Sequence, residues 1–189
     1  MRVLGISGSL RRASYNSALL RHAGELIRAE GAELDVYDEW PEVPIYNEEL
    51  DVENPHAAVA RIRAAVTDAD AAFFATPEYN SSIPGGLKNA VDWLSRPSIA
   101  KSALRSKPVA VVGASTGAFG ATWAQAELRK VLAAAGARVV EGEVALGHAM
   151  ERFDDDGRLN DRNLEDQVRE VVRNLLVEVE ANAASRITS

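Results

Sequence analysis

The sequence predicts an α/β domain, a doubly wound parallel sheet with helices on both faces. Short apolar or β-branched runs alternate with Ala/Leu/Arg-rich helical stretches in the order βαβα, and no fixed-period repeat interrupts them. The first, third and fourth runs are nearly all apolar, as central parallel strands covered on both faces must be.

The elements follow in order. Arg2–Ser7 is the first strand. Leu19, Leu20, Ala23, Leu26 and Ile27 then fall at the i, i+3/4, i+7/8 spacing of a helix, with Asn16 or Ser17 as its cap and Gly31 near its end. Glu33–Tyr37 reads as an edge strand. Val59, Ile62 and Val66 mark a second helix, Ala71–Thr76 the third strand, and Leu87, Ala90, Val91 and Leu94 a third helix. Pro108–Ala114 is the fourth strand. Trp123, Leu128, Val131 and Leu132 mark a fourth helix closed by Gly136, and Arg138–Leu146 is a fifth strand. From about Asn163, the stripe Leu164, Val168, Val171, Val172, Leu175, Leu176 and Val179 predicts a last helix, with about 181–189 as a frayed tail.

Composition narrows the function. The chain has 189 residues and a net charge of −7, which argues against nucleic acid as the main partner. One domain over residues 1–189 is expected, burying roughly 70% of its unfolded surface. There is no cysteine, which excludes disulfides, thiol nucleophiles and thiolate metal sites, and any redox chemistry needs a borrowed cofactor. No apolar run approaches the ~20 residues that span a bilayer. A cytoplasmic protein is expected.

In a doubly wound sheet the ligand lies at the carboxyl ends of the strands, so the loops after strands one, three and four carry the expected site. The first is Gly8-Ser9-Leu10-Arg11-Arg12-Ala13-Ser14-Tyr15-Asn16. Arg11 offers a charged fork, and Ser9, Ser14 and Asn16 offer neutral hydrogen bonds at a helix N-terminus. That set suits a compact phosphate. A Ser-rich turn capped by Asn16 would use the same residues. Neither a Walker-type Gly-Lys-Ser/Thr loop nor the Gly-x-Gly-x-x-Gly dinucleotide fingerprint is present. A monophosphate on a larger ligand is the expected group.

After strand three come Pro77, Glu78, Tyr79 and Asn80, followed by Pro84. The prolines stiffen this loop, Tyr79 gives an aromatic face, and the backbone around Glu78–Asn80 can meet the edge of a planar heterocycle. After strand four, Gly113, Gly117 and Gly120 permit close backbone approach, to a ligand or within a tight turn.

Two longer stretches then carry a resemblance. Gly8 to Asn16, and Pro77-Glu78-Tyr79-Asn80-Ser81-Ser82-Ile83-Pro84-Gly85-Gly86-Leu87-Lys88-Asn89-Ala90-Val91-Asp92-Trp93, resemble the two signatures of the NAD(P)H-dependent FMN reductase family, which includes flavodoxin-fold quinone and chromate reductases. Pro44-Ile45-Tyr46-Asn47-Glu48, Gly113-Ala114-Ser115 and the turn Phe153-Asp154-Asp155-Asp156-Gly157 support it. The resemblance implies a flavodoxin-like five-stranded parallel sheet that binds FMN. Ser9, Arg11, Ser14 and Asn16 would hold the phosphate, Pro77, Glu78, Tyr79 and Asn80 the flavin edge, and Ser115 with Gly117 the opposite side of the ring. It further implies NADPH or NADH as hydride donor, a quinone or flavin as acceptor, and a homodimer or homotetramer. Ser81 stands where relatives often carry an aromatic, and Gly86 and Thr116 also depart from common choices, so acceptor preference does not carry over.

No side chain is expected to act as a catalytic acid or base, because the chemistry sits on flavin N5. A flavodoxin-like electron carrier without NAD(P)H activity is the alternative, and a flavin-free interaction module a third reading. His22, His56 and His148 lack metal-ligand spacing and are expected in solvated or capping roles. Arg152 stands where a calcium loop would need its first acid, so Asp154–Gly157 is expected to be a plain turn. Trp40, Ile45, Tyr46 and Trp93 suit either an oligomer interface or core packing.

Overall fold

A computed structural model describes residues 1–154 and 156–187. The strands are β1 (Arg2–Ser7), β2 (Glu33–Val36), β3 (Ala71–Thr76), β4 (Pro108–Ala114), β5 (Arg138–Val139) and β6 (Ala145–Leu146). The helices are α1 (Tyr15–Ala29), α2 (Ala57–Asp68), α3 (Gly85–Leu94), α4 (Thr122–Ala134) and α5 (Arg162–Ile187). All pairings are parallel, in the order β2-β1-β3-β4-β5, with β6 also against β4. This is the flavodoxin-like winding, whose order reverses between β1 and β3.

Successive side chains of a strand point to opposite faces, and the core divides accordingly. Phe73, Ala110 and Val112 pack with α1 and α5, whereas Phe74, Val109 and Val111 pack with α2, α3 and α4. Every residue of β3 and β4 is buried, while β2 is mostly exposed, as an edge strand should be. Trp40 and Trp93 belong to the core: Trp93 is fully buried, and its indole N–H donates to the Pro44 carbonyl at 2.8 Å. Ile45 alone of that aromatic-apolar group is strongly exposed, at 83%.

The structure revises three local expectations. The fifth strand is two short pieces rather than one run over Arg138–Leu146. Between them Gly142 takes φ +109°, which breaks the ladder, and Arg129 donates to the carbonyls of Val140 (2.8 Å) and Gly142 (3.0 Å) in place of a strand partner. The cap of α1 is Ser14, neither Asn16 nor Ser17; its hydroxyl accepts the N–H groups of both. The last helix continues through Ile187, well into the expected tail, and the Asn182 amide donates to the Ser106 carbonyl at 3.1 Å. Residues 188 and 189 lie outside the described residues.

The turn expected at 153–157 includes Asp155, which is likewise outside them. Around it the Asp154 carboxylate accepts the Arg158 N–H at 2.8 Å, and Gly157 takes φ +76°.

Candidate functional site

The sheet places the loops after β1, β3 and β4 side by side at its carboxyl edge, where they enclose a cleft of about 380 Å³. Ser9, Arg11, Ser14, Asn16, Pro77, Glu78, Tyr79 and Ser115 all border it. Asn80 and Gly117 do not. Asn80 and Ser81 are the central residues of a reverse turn closed by the Tyr79–Ser82 backbone pair, with φ of +52° and +59°. Two positive φ values in succession are the mark of a type I′ turn. That turn accounts for the polar cluster in the loop and leaves Tyr79 half-exposed, at 52%, at the edge of the cleft. Gly117 lies one turn beyond the cleft, its N–H on the Ser115 hydroxyl and its carbonyl on the His148 N–H.

At one end of the cleft the chain is tied down before α1 begins. The Gly8 N–H donates to the Ala75 carbonyl at 2.8 Å, and a β-carbon on Gly8 would lie 2.8 Å from Leu87 and 3.2 Å from Pro77. The Ser9 hydroxyl accepts the Arg11 N–H at 3.4 Å. Arg11 itself is exposed, its guanidinium 5.1 Å from the centre of the Tyr15 ring. Ser14 and Asn16 are buried. Asn16 exchanges two hydrogen bonds of 2.9 Å with the backbone of Ala114, so its amide is chiefly a pin between α1 and the end of β4. Serine hydroxyls, an unpaired guanidinium and the positive end of a 15-residue helix converge here, a donor set matched to a phosphate dianion.

The other end is built by a bond between loops. Half-buried Glu78 aims its carboxylate at the start of α4, accepting the N–H groups of Trp123 (3.1 Å) and Ala124 (3.2 Å). The residue at the N-cap of α4, Ala121, has no side-chain cap and sits at φ +60°, so Glu78 satisfies donors that the local sequence cannot. Close approach of the backbone at Gly120 is to the chain itself. A β-carbon there would lie 2.2 Å from the Ala145 carbonyl carbon.

Sequence reasoning missed Met150, Tyr15 and Ala114 as walls of the cleft. Tyr15 and Ala114 lie inside stretches already singled out, whereas Met150 is brought in by the short turn Ala149–Glu151 after β6, which carries no motif. Of the histidines, His56 caps α2 through Nδ1, accepting the Ala58 N–H at 3.2 Å. Burial lowers the pKa of His22 below the usual imidazole range, partly offset by Glu165 and Glu25. Among the described residues no group of three or more His, Asp or Glu side chains is placed to hold a metal.

The model of a family described as NADPH-dependent FMN reductase matches residues 1–151. The chain belongs to the NADPH-dependent FMN reductase family. It is 42% identical over 177 residues to an NAD(P)H-dependent FMN reductase of Pseudomonas aeruginosa, covering 93% of this chain and 91% of that protein. It is 40% identical over 158 residues to a quinone reductase of Pseudomonas putida, covering 83% of each. Among solved structures, the flavoenzyme NAD(P)H:(acceptor) oxidoreductase FerB of Paracoccus denitrificans superposes with a TM-score of 0.81 at 31% identity, over 96% of this chain and 98% of that one. For an FMN reductase, the cleft lies where the fold requires it, at the reversal of strand order.

Proposed function

We propose that this chain is an NAD(P)H-dependent FMN oxidoreductase that passes electrons to a quinone or to free flavin, and that the three-loop cleft is its FMN site. The observation that carries the reading is the joining of a phosphate-type donor set to a stiff, aromatic-edged slot within one cleft at the switch point. Its size falls in the usual range for small-ligand sites. The residues fit the group: Ser9, Arg11 and Ser14 take the phosphate, Pro77, Glu78 and Tyr79 border the ring on one side, and Ser115 borders it on the other. Bound FMN supplies hydride acceptance and two-electron delivery.

The protein's own part is to hold and shield. Arg11 neutralises the phosphate, and the pinned backbone at Gly8 and Asn16 fixes where that phosphate sits. After β3 and β4 the Tyr79 and Ser115 N–H groups are spent on the Ser82 and Leu146 carbonyls, which holds the two loops in place on either side of the slot. Asn80 and Gly117 act by shaping these loops. Reliance on NAD(P)H and the cysteine-free composition favour a cytoplasmic setting; among the described residues no helix is long and apolar enough to cross a membrane.

Rapid mixing of flavin-loaded protein with NADPH or NADH tests the reading. Visible flavin absorbance is expected to bleach within seconds and to return when a quinone is added. Flavin that stays oxidised for minutes would replace the reductase with an electron carrier.

The mouth of the cleft also supports a homodimer or homotetramer. Met150, which borders the cleft, is 70% exposed, and Phe119 and Trp123, in the segment that follows β4, form an edge-on pair 5.0 Å apart, 65% and 48% exposed. An apolar rim of this kind is suited to a second copy of the chain. Sedimentation is expected to show a dimer or larger, and a fully active monomer at micromolar concentration rejects it.

A further inference from the structure

Gln125 is fully buried, in the first turn of α4 behind the loop after β4, and it does not border the cleft. Its carboxamide nitrogen donates to two main-chain carbonyls, those of Gly120 at 2.9 Å and Val144 at 3.1 Å. Its Oε1 has no hydrogen-bond partner among the described residues. The side chain is used as a double donor, and the reverse orientation of the amide would set its oxygen against two carbonyl oxygens.

Each of those carbonyls belongs to a segment that shapes the site. Gly120 and Ala121 take φ of +58° and +60°, and a residue with a side chain keeps such a conformation only where its surroundings hold it. Gln125 holds both, because its backbone N–H donates to the Ala121 carbonyl at 2.9 Å while its side chain takes the Gly120 carbonyl. Val144 leads into β6 and the turn beyond it. There the Leu146 carbonyl accepts the Ser115 N–H, and the His148 and Ala149 N–H groups donate to the carbonyls of Gly117 and Ser115. The end of β4 leaves room for the clamp: a β-carbon on Gly113 would lie 2.8 Å from the Gln125 amide nitrogen.

We propose that Gln125 is a positioning residue of the flavin slot: it fastens the loop after β4 to the segment that leads to Met150, and so places the Ser115 wall. The inference rests on the FMN-site reading above. Gln125→Glu keeps the shape of the side chain and makes the clamp depend on a proton. A protonated carboxyl can donate to one of the two carbonyls, whereas an ionised one donates to neither and repels both. Burial pushes such a carboxyl above its usual range, so the clamp should fail as pH rises through neutrality.

Flavin titrations of the variant and the wild type at each pH give a ratio of dissociation constants from which the titration of FMN's own phosphate cancels. That ratio is expected to stay within about threefold at about pH 6 and to rise at least about tenfold by about pH 8.5, with riboflavin losing as much as FMN. In the apoproteins at about pH 8.5, the Ser115, His148 and Ala149 amides should exchange hydrogen faster in the variant, with those of α1 unchanged. Gln125→Leu has no donor at any pH and should show the loss throughout; it replaces the glutamate variant should that one not fold. A ratio flat with pH, a leucine variant with wild-type flavin affinity, or exchange that quickens equally in α1 overturns the proposal. If the wild type binds neither flavin, the FMN-site reading falls, and the exchange measurement still decides whether Gln125 holds the loop.

Discussion

Replacing Gly120 by alanine is expected to destabilise the protein by about 4 kcal/mol or more, a large part of a typical domain's total. Two causes act together. Gly120 sits at φ +58°, which costs a residue with a side chain about 1–2 kcal/mol. The added β-carbon would also lie 2.2 Å from the carbonyl carbon of Ala145 and 2.5 Å from the Leu146 nitrogen, both backbone atoms that cannot swing away. Relief requires β6 to separate from the loop after β4. Gly117, three residues earlier, is the control, because a β-carbon there meets nothing nearer than the Ser115 hydroxyl at 3.5 Å. Its alanine variant should lie within about 1 kcal/mol of the wild type. Urea unfolding of both apoproteins checks the pair, and a Gly120→Ala variant as stable as Gly117→Ala would show that the loop yields.

Arg11→Ala is expected to weaken FMN binding by about 1.5–3 kcal/mol, roughly 10- to 100-fold, while leaving riboflavin almost untouched. The side chain makes no ion pair among the described residues, so its removal leaves no orphaned carboxylate and should not disturb the fold. Its ring contact with Tyr15 is exposed and worth about 0.5–1 kcal/mol at most. Fluorescence titration with the two flavins separates the roles, since they differ only in the phosphate. Equal losses for both would move the phosphate away from Arg11.

The central strands were legible in the sequence because burial on both faces leaves an unbroken apolar run, as in Ala71–Thr76 and Pro108–Ala114. The first, third and fourth loops were legible because the winding of such a sheet dictates where its loops open. What escaped was whatever depends on distant partners. The spacing around Asn16 reads as a cap or a phosphate donor, and only the three-dimensional closeness of Ala114 shows a pin between elements 98 residues apart. Glu78 reads as part of a ring shelf, yet its carboxylate caps a helix that begins 44 residues later, at Thr122. Arg138–Leu146 reads as one strand because Val139, Val140 and Val144 have strand propensity, and the positive φ of Gly142 overrides it.

The bond from Glu78 to the start of α4 makes the slot an aperture of set width. One jaw follows β3, the other follows β4, and the Glu78 carboxylate fastens them together. A ligand that forced the jaws apart would have to part that fastening and strip a helix of its cap. Because the jaws are already fixed when the chain folds, little ordering of these loops remains for binding to impose, and a ligand loses correspondingly less of its contact energy to arranging its own site.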